Sequence, residues 1–293
     1  MRGLLTAVII ILGVLLLMVI LLIIESRREL NMVRLSEYFY SGPKLNKALD
    51  GKNFIFLSDF HEAQGGRLNS RILDMVREAS PEMILVGGDM LNGTHEDEDI
   101  TPSVSLITEL SKIAPVFMAS GNHEMKVREG HYGYVSLWNR FYDGIKDKVT
   151  YIDNMSVFPS TAPIKLYGLD LEYDYYKRQS RKQLEMSHMT KLIGDSDGRA
   201  LNILLAHDPE YYKVYADWGA DIVLSGHYHG GIIRIPGLGG VISPKLVLFP
   251  KPDYGMVQTG DSTMYLTCGL GQHTMKLRVN NIPEVVKVTF KAG

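Results

Sequence analysis

The sequence predicts an α/β fold that follows one N-terminal apolar helix. Residues 3–24 are uncharged and almost wholly apolar. After them, short runs rich in Val, Ile and Leu alternate with segments whose apolar residues recur at helical spacing. The chain has 293 residues, of which 45% are hydrophobic and 22% are charged, and this is enough for one large core.

The composition excludes some classes of protein. A formal net charge of −2 gives no indication of a nucleic-acid partner. Cys268 is the only cysteine, so the chain cannot form an intramolecular disulfide and is not a disulfide-stapled scaffold. We expect Cys268 to be a buried structural thiol.

Residues 3–24 are long enough to cross a membrane, because 22 helical residues span about 33 Å and a hydrocarbon core is about 30 Å thick. A cleaved signal peptide is the alternative, but its apolar region is usually about 7–15 residues long and ends at small residues. This run ends in Ile-Ile-Glu-Ser-Arg-Arg, so we expect an uncleaved, single-pass anchor in the cell membrane. Arg27, Arg28 and Arg34 follow the span and only Arg2 precedes it, which favours a cytoplasmic location for the remaining chain.

Apolar runs that end at a polar residue or a glycine are predicted to be core strands. They lie at residues 53–57, 83–86, 116–119, 165–168, 202–205 and 221–224. One helix is predicted at 68–79, which Pro81 terminates. A second has its apolar repeat at 104–113 and Pro102 in its first turn, and a third runs to Trp218 with Asp208 as the N-cap. Three later strand-like runs, at 255–258, 263–267 and 284–290, are separated by Gly, Asp and Asn, which suggests antiparallel pairing.

Polar residues that can bind metal ions follow five of the six predicted core strands. Function in α/β folds concentrates at these carboxyl ends. The five segments are Ser58-Asp59-Phe60-His61, Gly87-Gly88-Asp89, Ser120-Gly121-Asn122-His123-Glu124, Ala206-His207-Asp208 and Ser225-Gly226-His227-Tyr228-His229-Gly230. Each segment alone is often a turn or a helix cap. Together they offer too many nitrogen and oxygen donors for one tetrahedral zinc, and they suit two ions of higher coordination number.

This arrangement resembles the calcineurin-like metallophosphoesterases, whose signature runs Asp-x-His, Gly-Asp, Gly-Asn-His-Glu, His and Gly-His-x-His. All five blocks are present in order from Asp59 to His229. The segments at 268–271, Cys-Gly-Leu-Gly, and 282–285, Ile-Pro-Glu-Val, resemble the closing part of the membrane-associated branch of this family. The resemblance implies a four-layer α-β-β-α sandwich with metal ions at the strand ends.

The resemblance also implies two divalent metal ions and no other cofactor. Manganese is the first expectation, and the donor set also tolerates Fe, Zn, Co or Ni. A pair of such ions activates water and holds phosphate oxygens. By the family pattern the first ion would be bound by Asp59, His61 and His229, the second by Asn122, His207 and His227, and both by Asp89.

Other residues are assigned on the same resemblance or on their context. His123 is expected to be catalytic, as a hydrogen-bond donor to the phosphate or as the acid for the leaving oxygen. Glu124 is expected to support the ligands, and Asp208 to cap a helix. The remaining histidines lack a strand-end position and are expected at the surface or in packing; they are His95, His131, His188 and His273.

One departure from the family pattern narrows the substrate. Protein phosphatases of this superfamily carry an arginine shortly after the Gly-Asp block, whereas residues 88–94 here read Gly-Asp-Met-Leu-Asn-Gly-Thr. This leaves small phosphomonoesters, phosphodiesters and pyrophosphates, including nucleotide–lipid conjugates. Residues 172–189 combine tyrosines with lysines and arginines, and they are either a cap over the substrate or lipid headgroups, or a solvated helix face.

The sequence therefore predicts a phosphodiesterase or phosphatase, plausibly acting on a membrane lipid or a nucleotide–lipid substrate. We expect residues 1–25 to form the anchor, 26–50 a juxtamembrane segment with the first part of the fold, and 51–293 the metallophosphoesterase domain. Two alternatives remain: a catalytically silent, membrane-tethered scaffold, and a metal-dependent hydrolase of amides or carboxylic esters.

Overall fold

The computed structural model describes residues 2–61, 67–131, 133–159, 163–178, 180–272 and 277–292. The helices are α1 (Arg2–Leu30), α2 (Arg67–Ala79), α3 (Thr101–Leu110), α4 (Asn122–Arg128), α5 (Val135–Ile145), α6 (Tyr173–Tyr176), α7 (Met186–Ile193) and α8 (Tyr212–Trp218). Short 3-10 helices lie at Lys47–Leu49, Pro209–Tyr211 and His229–Gly231.

Most of the strands form two six-stranded sheets. The strands are β1 (Arg34–Tyr40), β2 (Asn53–Leu57), β3 (Met83–Val86), β4 (Val116–Met118), β5 (Thr150–Tyr151), β6 (Met155–Val157), β7 (Ile164–Leu169), β8 (Leu201–Ala206), β9 (Ile222–Ser225), β10 (Arg234–Ile235), β11 (Gly239–Gly240), β12 (Gly255–Thr259), β13 (Ser262–Leu266) and β14 (Glu284–Phe290). The first sheet has the order β1-β14-β2-β3-β4-β5 and the second β12-β13-β9-β8-β7-β6, while β10 and β11 form a separate ribbon.

The two sheets pack face to face between two layers of helices. Alternation along β2 shows why: Phe54 and Phe56 face the second sheet, whereas Ile55 and Leu57 face α2, α3 and α5. A third core lies on the outer face of the second sheet, where α7 and α8 pack. This helix–sheet–sheet–helix order confirms the predicted four-layer fold.

All six predicted core strands are present, with ends that differ by at most one residue. The prediction of antiparallel pairing in the later strands was only partly right. β12 and β13 form an antiparallel hairpin, but β13 is also parallel to β9. β14 joins the other sheet, antiparallel to β2 and parallel to β1. The pairing partners of β14 lie more than two hundred residues earlier in the chain, and local turn signals carry no information about them.

Helix α1 is joined to the rest of the fold through its last turn. Its large apolar residues from Leu4 to Ile24 are exposed, and by length and composition it is a candidate membrane span. Ser26 and Glu29, in contrast, are buried. The Ser26 Oγ accepts a hydrogen bond of 2.9 Å from the backbone N–H of Arg278, and the Glu29 carboxylate accepts one of 2.9 Å from that of Asn281.

Candidate metal centre

The residues after five parallel strands converge at one edge of the two packed sheets. They are Asp59 and His61 after β2, Asp89 after β3, Asn122 and His123 at the start of α4, His207 after β8, and His227 and His229 after β9. All eight side chains are buried. The structure thus brings every predicted ligand and the predicted catalytic histidine into one cluster.

Two carboxylates lie at the centre of this cluster. Oδ2 of Asp89 is 3.1 Å from Nε2 of His207 and 3.6 Å from Nε2 of His61. Oδ1 of Asp59 is 3.3 Å from Nε2 of His229 and 3.8 Å from Nε2 of His207. The ring nitrogens therefore point at the carboxylate oxygens from several sides.

The donor atoms form groups that could each hold a metal ion. The groups, in which the donor atoms lie within 4.8 Å of one another, are Asp59, His61 and His229; Asp89, His207 and His227; and His61, Asp89 and His123. Asn122 Oδ1 and His227 Nε2 are buried and have no hydrogen-bond partner among the described residues. Buried polar atoms are costly to leave unpaired, and imidazole, carboxylate and amide donors suit divalent ions. The residues present therefore fit metal binding.

The backbone at the cluster adopts a conformation that side chains rarely favour. Asp59, His61, Asp89, His227 and His229 have φ between 44° and 67°. Left-handed backbone at a non-glycine residue costs on the order of 1–3 kcal/mol and is concentrated at functional sites. Five such residues in one cluster indicate that the packing which positions these side chains outweighs the local conformational preference of the backbone.

Two motif glycines allow the segments to approach one another. A Cβ at Gly226 would lie 2.0 Å from Oδ2 of Asp59, and one at Gly121 would lie 2.2 Å from Oδ1 of Asp89. Any side chain at these positions would displace a carboxylate. The glycines of the Gly-His-x-His and Gly-Asn-His-Glu blocks are therefore required by the close packing around the two aspartates.

Backbone carbonyls orient the histidine rings. Nδ1 of His61 lies 3.1 Å from the carbonyl oxygen of Leu91, and Nδ1 of His207 lies 2.8 Å from that of Gly87. With a proton on Nδ1, each ring donates to its carbonyl and directs the Nε2 lone pair at the cluster.

The charges of the cluster are strongly coupled. Burial raises the pKa of Asp59 to about 6, with a further contribution from the charge of Asp89. Burial would also raise the pKa of Asp89, but His207, His123 and His61 outweigh it and hold that pKa well below its usual range. Burial opposes the charge on His207, whereas the two aspartates raise its pKa to about 10. Without a metal ion, these shifts favour an ionised Asp89 and a cationic His207 with protons on both ring nitrogens.

Glu124 holds the loop that carries Asp89. Its carboxylate accepts backbone hydrogen bonds from Asp89 and Met90, each of 2.7 Å, from Leu91 at 3.1 Å, and from Gly121 at 2.9 Å. The bond from Gly121 caps the start of α4. Glu124 is fully buried and bonds only backbone groups in these contacts, which is the supporting position expected from the sequence.

A pocket of about 490 Å³ opens above the cluster. Asp89, Asn122, His123, His227 and His229 line it together with Lys126, Tyr173, Tyr176, Lys177, Arg178, Ile232, Pro244 and Gln272. Lys126 was not predicted from the sequence. Its position three residues after His123 on α4, which places both on one helical face, was the available signal.

Residues 172–189 do not form one continuous helix. Only α6 and the start of α7 are helical, and the intervening described residues are irregular. Tyr173, Tyr176, Lys177 and Arg178 line the pocket, and the ring of Tyr176 lies 5.5 Å from that of His227. The predicted basic and aromatic residues thus lie in part at the pocket, not on a separate solvated helix face.

The remaining predicted positions lie outside the pocket. Asp208 accepts a hydrogen bond of 3.0 Å from the backbone N–H of Glu210, as expected of an N-cap. His95 and His131 are exposed, and Nε2 of His188 lies 3.0 Å from a carboxylate oxygen of Glu172. His273 lies outside the described residues. Cys268 is buried, as predicted.

Comparison with known proteins identifies the same family that the sequence motifs resemble. The model of the calcineurin-like phosphoesterase family matches residues 52–231, which is more than half of the chain and includes the whole cluster. The metallophosphoesterase YkuE of Bacillus subtilis strain 168 is 25% identical over 273 residues, which cover 90% of this chain and 87% of YkuE.

Two further relatives are a phosphodiesterase and a transmembrane protein. The phosphodiesterase YaeI of Escherichia coli strain K12 is 26% identical over 235 residues, which cover 79% of each chain. A transmembrane protein with a metallophosphoesterase domain from Danio rerio is 25% identical over 260 residues, covering 85% of this chain and 55% of the relative. The chain therefore belongs to the calcineurin-like phosphoesterase family and is a metal-dependent hydrolase of phosphoric esters.

Proposed function

We propose that the chain hydrolyses phosphodiesters or pyrophosphates with two divalent metal ions. One observation carries this proposal: Oδ2 of Asp89 lies within 3.9 Å of Nε2 of His61, His123 and His207. His61 and His207 belong to different donor groups, so Asp89 is positioned to serve both.

In this proposal Asp59, His61 and His229 would hold the first ion, Asn122, His207 and His227 would hold the second, and Asp89 would contribute to both. Manganese is the first choice, and Fe, Zn, Co or Ni also suit these donors. When bound, such a pair supplies Lewis-acid stabilisation of phosphate charge and lowers the pKa of water.

The protein's own groups position the substrate and move protons. His123 directs Nδ1 to the carbonyl oxygen of Asn92, which turns Nε2 towards the pocket. From there it can donate a hydrogen bond to a phosphate oxygen or a proton to the leaving oxygen. Lys126, Lys177 and Arg178 add positive charge to the pocket wall and favour an anionic substrate.

We further propose that the substrate is membrane-associated, such as a lipid phosphodiester or a nucleotide–lipid pyrophosphate. The apolar helix α1 and the transmembrane relative from Danio rerio support a membrane location, and the absence of an arginine after Asp89 and the similarity to the phosphodiesterase YaeI support a substrate of this class. Residues 1–25 would anchor the protein in the cell membrane. Residues 26–50 would form a juxtamembrane segment with the first part of the fold, and 51–293 the catalytic domain, on the cytoplasmic side.

The test is hydrolysis of bis(p-nitrophenyl) phosphate by the full chain in detergent, after removal of metal with a chelator and again after addition of Mn²⁺. We expect activity only with metal. Asp89→Asn should abolish the metal-dependent activity, and His123→Ala should lower kcat about 100-fold or more with metal still bound. The exposed His95→Ala variant is the matched control and should retain activity.

A folded, metal-loaded chain that is inert on this ester and on p-nitrophenyl phosphate, but cleaves p-nitrophenyl acetate, would replace the proposal with carboxylic-ester hydrolysis. Binding of one metal ion per chain, with full activity, would contradict the two-ion site.

A further inference from the structure

Residues 235–249, which we call the apolar loop, present an unusual concentration of exposed apolar side chains. Among the described residues outside α1, thirteen large hydrophobic residues are exposed, and six of them lie in this loop. The six are Ile235, Leu238, Leu246, Val247, Leu248 and Phe249. Single exposed apolar residues are ordinary, whereas a contiguous patch marks an interaction surface.

The base of the apolar loop is held by buried and half-buried polar contacts. Lys245 forms an ion pair of 2.9 Å with Asp208 and a second ion pair with Glu210. Within the loop, Ser243 donates to the carbonyl of Val247 at 2.9 Å. These contacts hold the backbone of the apolar loop in place. The exposed side chains therefore belong to an ordered segment.

The apolar loop adjoins the point where α1 leaves the domain. Ser26 and Glu29 in the last turn of α1 bond the backbone of Arg278 and Asn281. Between these two residues, Val279 pairs with the chain at the start of the loop, where its carbonyl accepts a hydrogen bond of 2.9 Å from Arg234. One strand pairing therefore separates the loop from the end of the candidate membrane helix.

The same loop borders the active-site pocket. Pro244, within the loop, and Ile232, just before it, line the pocket above the metal cluster. Arg27 and Arg28 are exposed on the last turns of α1. Their charge matches anionic lipid headgroups, and tyrosine and lysine side chains also line the pocket.

We infer that the apolar loop inserts into the lipid bilayer that holds α1, so that the pocket opens at the membrane surface. A bilayer is favoured over a protein partner because α1 carries this patch to the membrane, and because exposed arginines accompany it. The inference rests on the proposed membrane anchor. It narrows the substrate to amphiphiles whose phosphate enters the pocket while their apolar part stays in the bilayer.

The test places a fluorescent label at single positions of the full chain in nanodiscs of phosphatidylcholine and phosphatidylglycerol. Burial raises the pKa of Cys268 to about 12, so this thiol stays unlabelled near neutral pH. The label is attached through Leu248→Cys in the loop, Leu15→Cys within α1, or Met155→Cys on β6 at the edge of the second sheet. All three side chains are about half exposed or more in the native chain, so the variants should fold.

Doxyl-labelled lipids, which quench fluorescence within the bilayer, supply the readout. We expect quenching at Leu248→Cys by 5-doxyl lipid, quenching at Leu15→Cys by 12-doxyl lipid, and none at Met155→Cys. An unquenched label at Leu248→Cys with a quenched one at Leu15→Cys would overturn the loop inference and leave the anchor intact. Equal quenching at Leu248→Cys and Met155→Cys would also overturn it.

An unquenched label at Leu15→Cys would remove both the anchor and the inference. Hydrolysis of bis(p-nitrophenyl) phosphate by the same labelled proteins reports separately on the proposed reaction. If the label at Leu248→Cys is not quenched but hydrolysis is retained, only the loop inference fails. If hydrolysis is absent, the proposed function fails.

Discussion

Glu124 neither lines the pocket nor bonds the side chain of a metal ligand in these contacts, yet it fixes the position of the ligand Asp89. Each of its two carboxylate oxygens accepts hydrogen bonds from two backbone N–H groups. Three of these four groups belong to the segment Asp89–Leu91. The carboxylate of Asp89 is in turn the group shared by the donor sets. A small shift of this segment would therefore disturb both proposed ions together.

We expect Glu124→Gln to be much more damaging than its similar shape suggests. The amide group would face two N–H donors instead of accepting from them, at a cost of about 1–3 kcal/mol for each donor left unpaired. Thermal unfolding and Mn²⁺ titration should both show the loss. The matched control is Glu129→Gln at the exposed end of the same helix, which should cost under about 1 kcal/mol. Equal Tm values for the two variants would show that the backbone contacts of Glu124 contribute little.

The protonation of His207 leads to a second prediction. The pKa of His207 is raised to about 10 by Asp89 and Asp59 against the opposing effect of burial, so the metal-free site holds a proton there at neutral pH. A histidine ligand must be neutral, so metal binding should release at least one proton. Apparent metal affinity should then rise as the pH increases from about 6 to 9.

Calorimetric titration with Mn²⁺ in PIPES and in Tris checks this directly, because the two buffers differ in ionisation enthalpy. Heats that differ between the buffers are expected. Identical heats would mean that His207 gives up no proton, and would count against its proposed role as a ligand.

At the scale of elements, the last turn of α1 is packed against the part of the fold that carries the metal cluster. The Glu29 carboxylate accepts from the N–H of Asn281, and the Asn281 side-chain amide donates to the carbonyl of His229 at 2.7 Å. Arg278, whose N–H bonds Ser26, also donates to the carbonyl oxygens of Cys268 and Gly269 beneath the metal cluster. Two hydrogen bonds thus connect the helix to a proposed metal ligand.

We therefore expect Glu29→Ala to lower the stability of the folded chain by about 1–3 kcal/mol, since the Asn281 N–H would be left buried and unpaired. Metal affinity should fall as well. Glu25→Ala, one turn earlier and paired with the exposed Arg28, is the control and should leave the stability nearly unchanged. Unfolding in detergent and Mn²⁺ binding measure both effects. Unchanged metal binding in Glu29→Ala would show that the helix is only a tether.

At the scale of the whole molecule, the fold and the composition of the cluster follow from local patterns, whereas its fine geometry does not. Apolar runs such as 53–57 predict buried strands, and polar residues at their carboxyl ends predict a shared site, because parallel strands end at one edge. The left-handed backbone at Asp59 and Asp89 could not be foreseen, since aspartate adopts it more often than most residues but still seldom, and no local pattern marks these two positions.

Long-range pairing is the other part that the sequence leaves open. β1 is half-exposed, and its alternation is weak, so no local signal separates it from a juxtamembrane segment. Its hydrogen-bonding partner is β14, with Arg34 opposite Glu284. The position of Lys126 in the pocket could not be predicted either, because it depends on which face of α4 remains uncovered when the two sheets pack.

The position of β14 has a consequence for how the protein is made. This strand lies between β1 and β2, so the first sheet stays in two pieces until residues 284–290 have been synthesised. A ribosome produces roughly 5–20 residues per second, so the roughly 230 residues from the end of β2 to the end of β14 take about 10–50 seconds, during which β1 and β2 lack the strand between them. Unpaired strand edges invite aggregation. We therefore expect β2, which leads into Asp59 of the metal cluster, to gain its second neighbouring strand only after residues 284–290 have been synthesised.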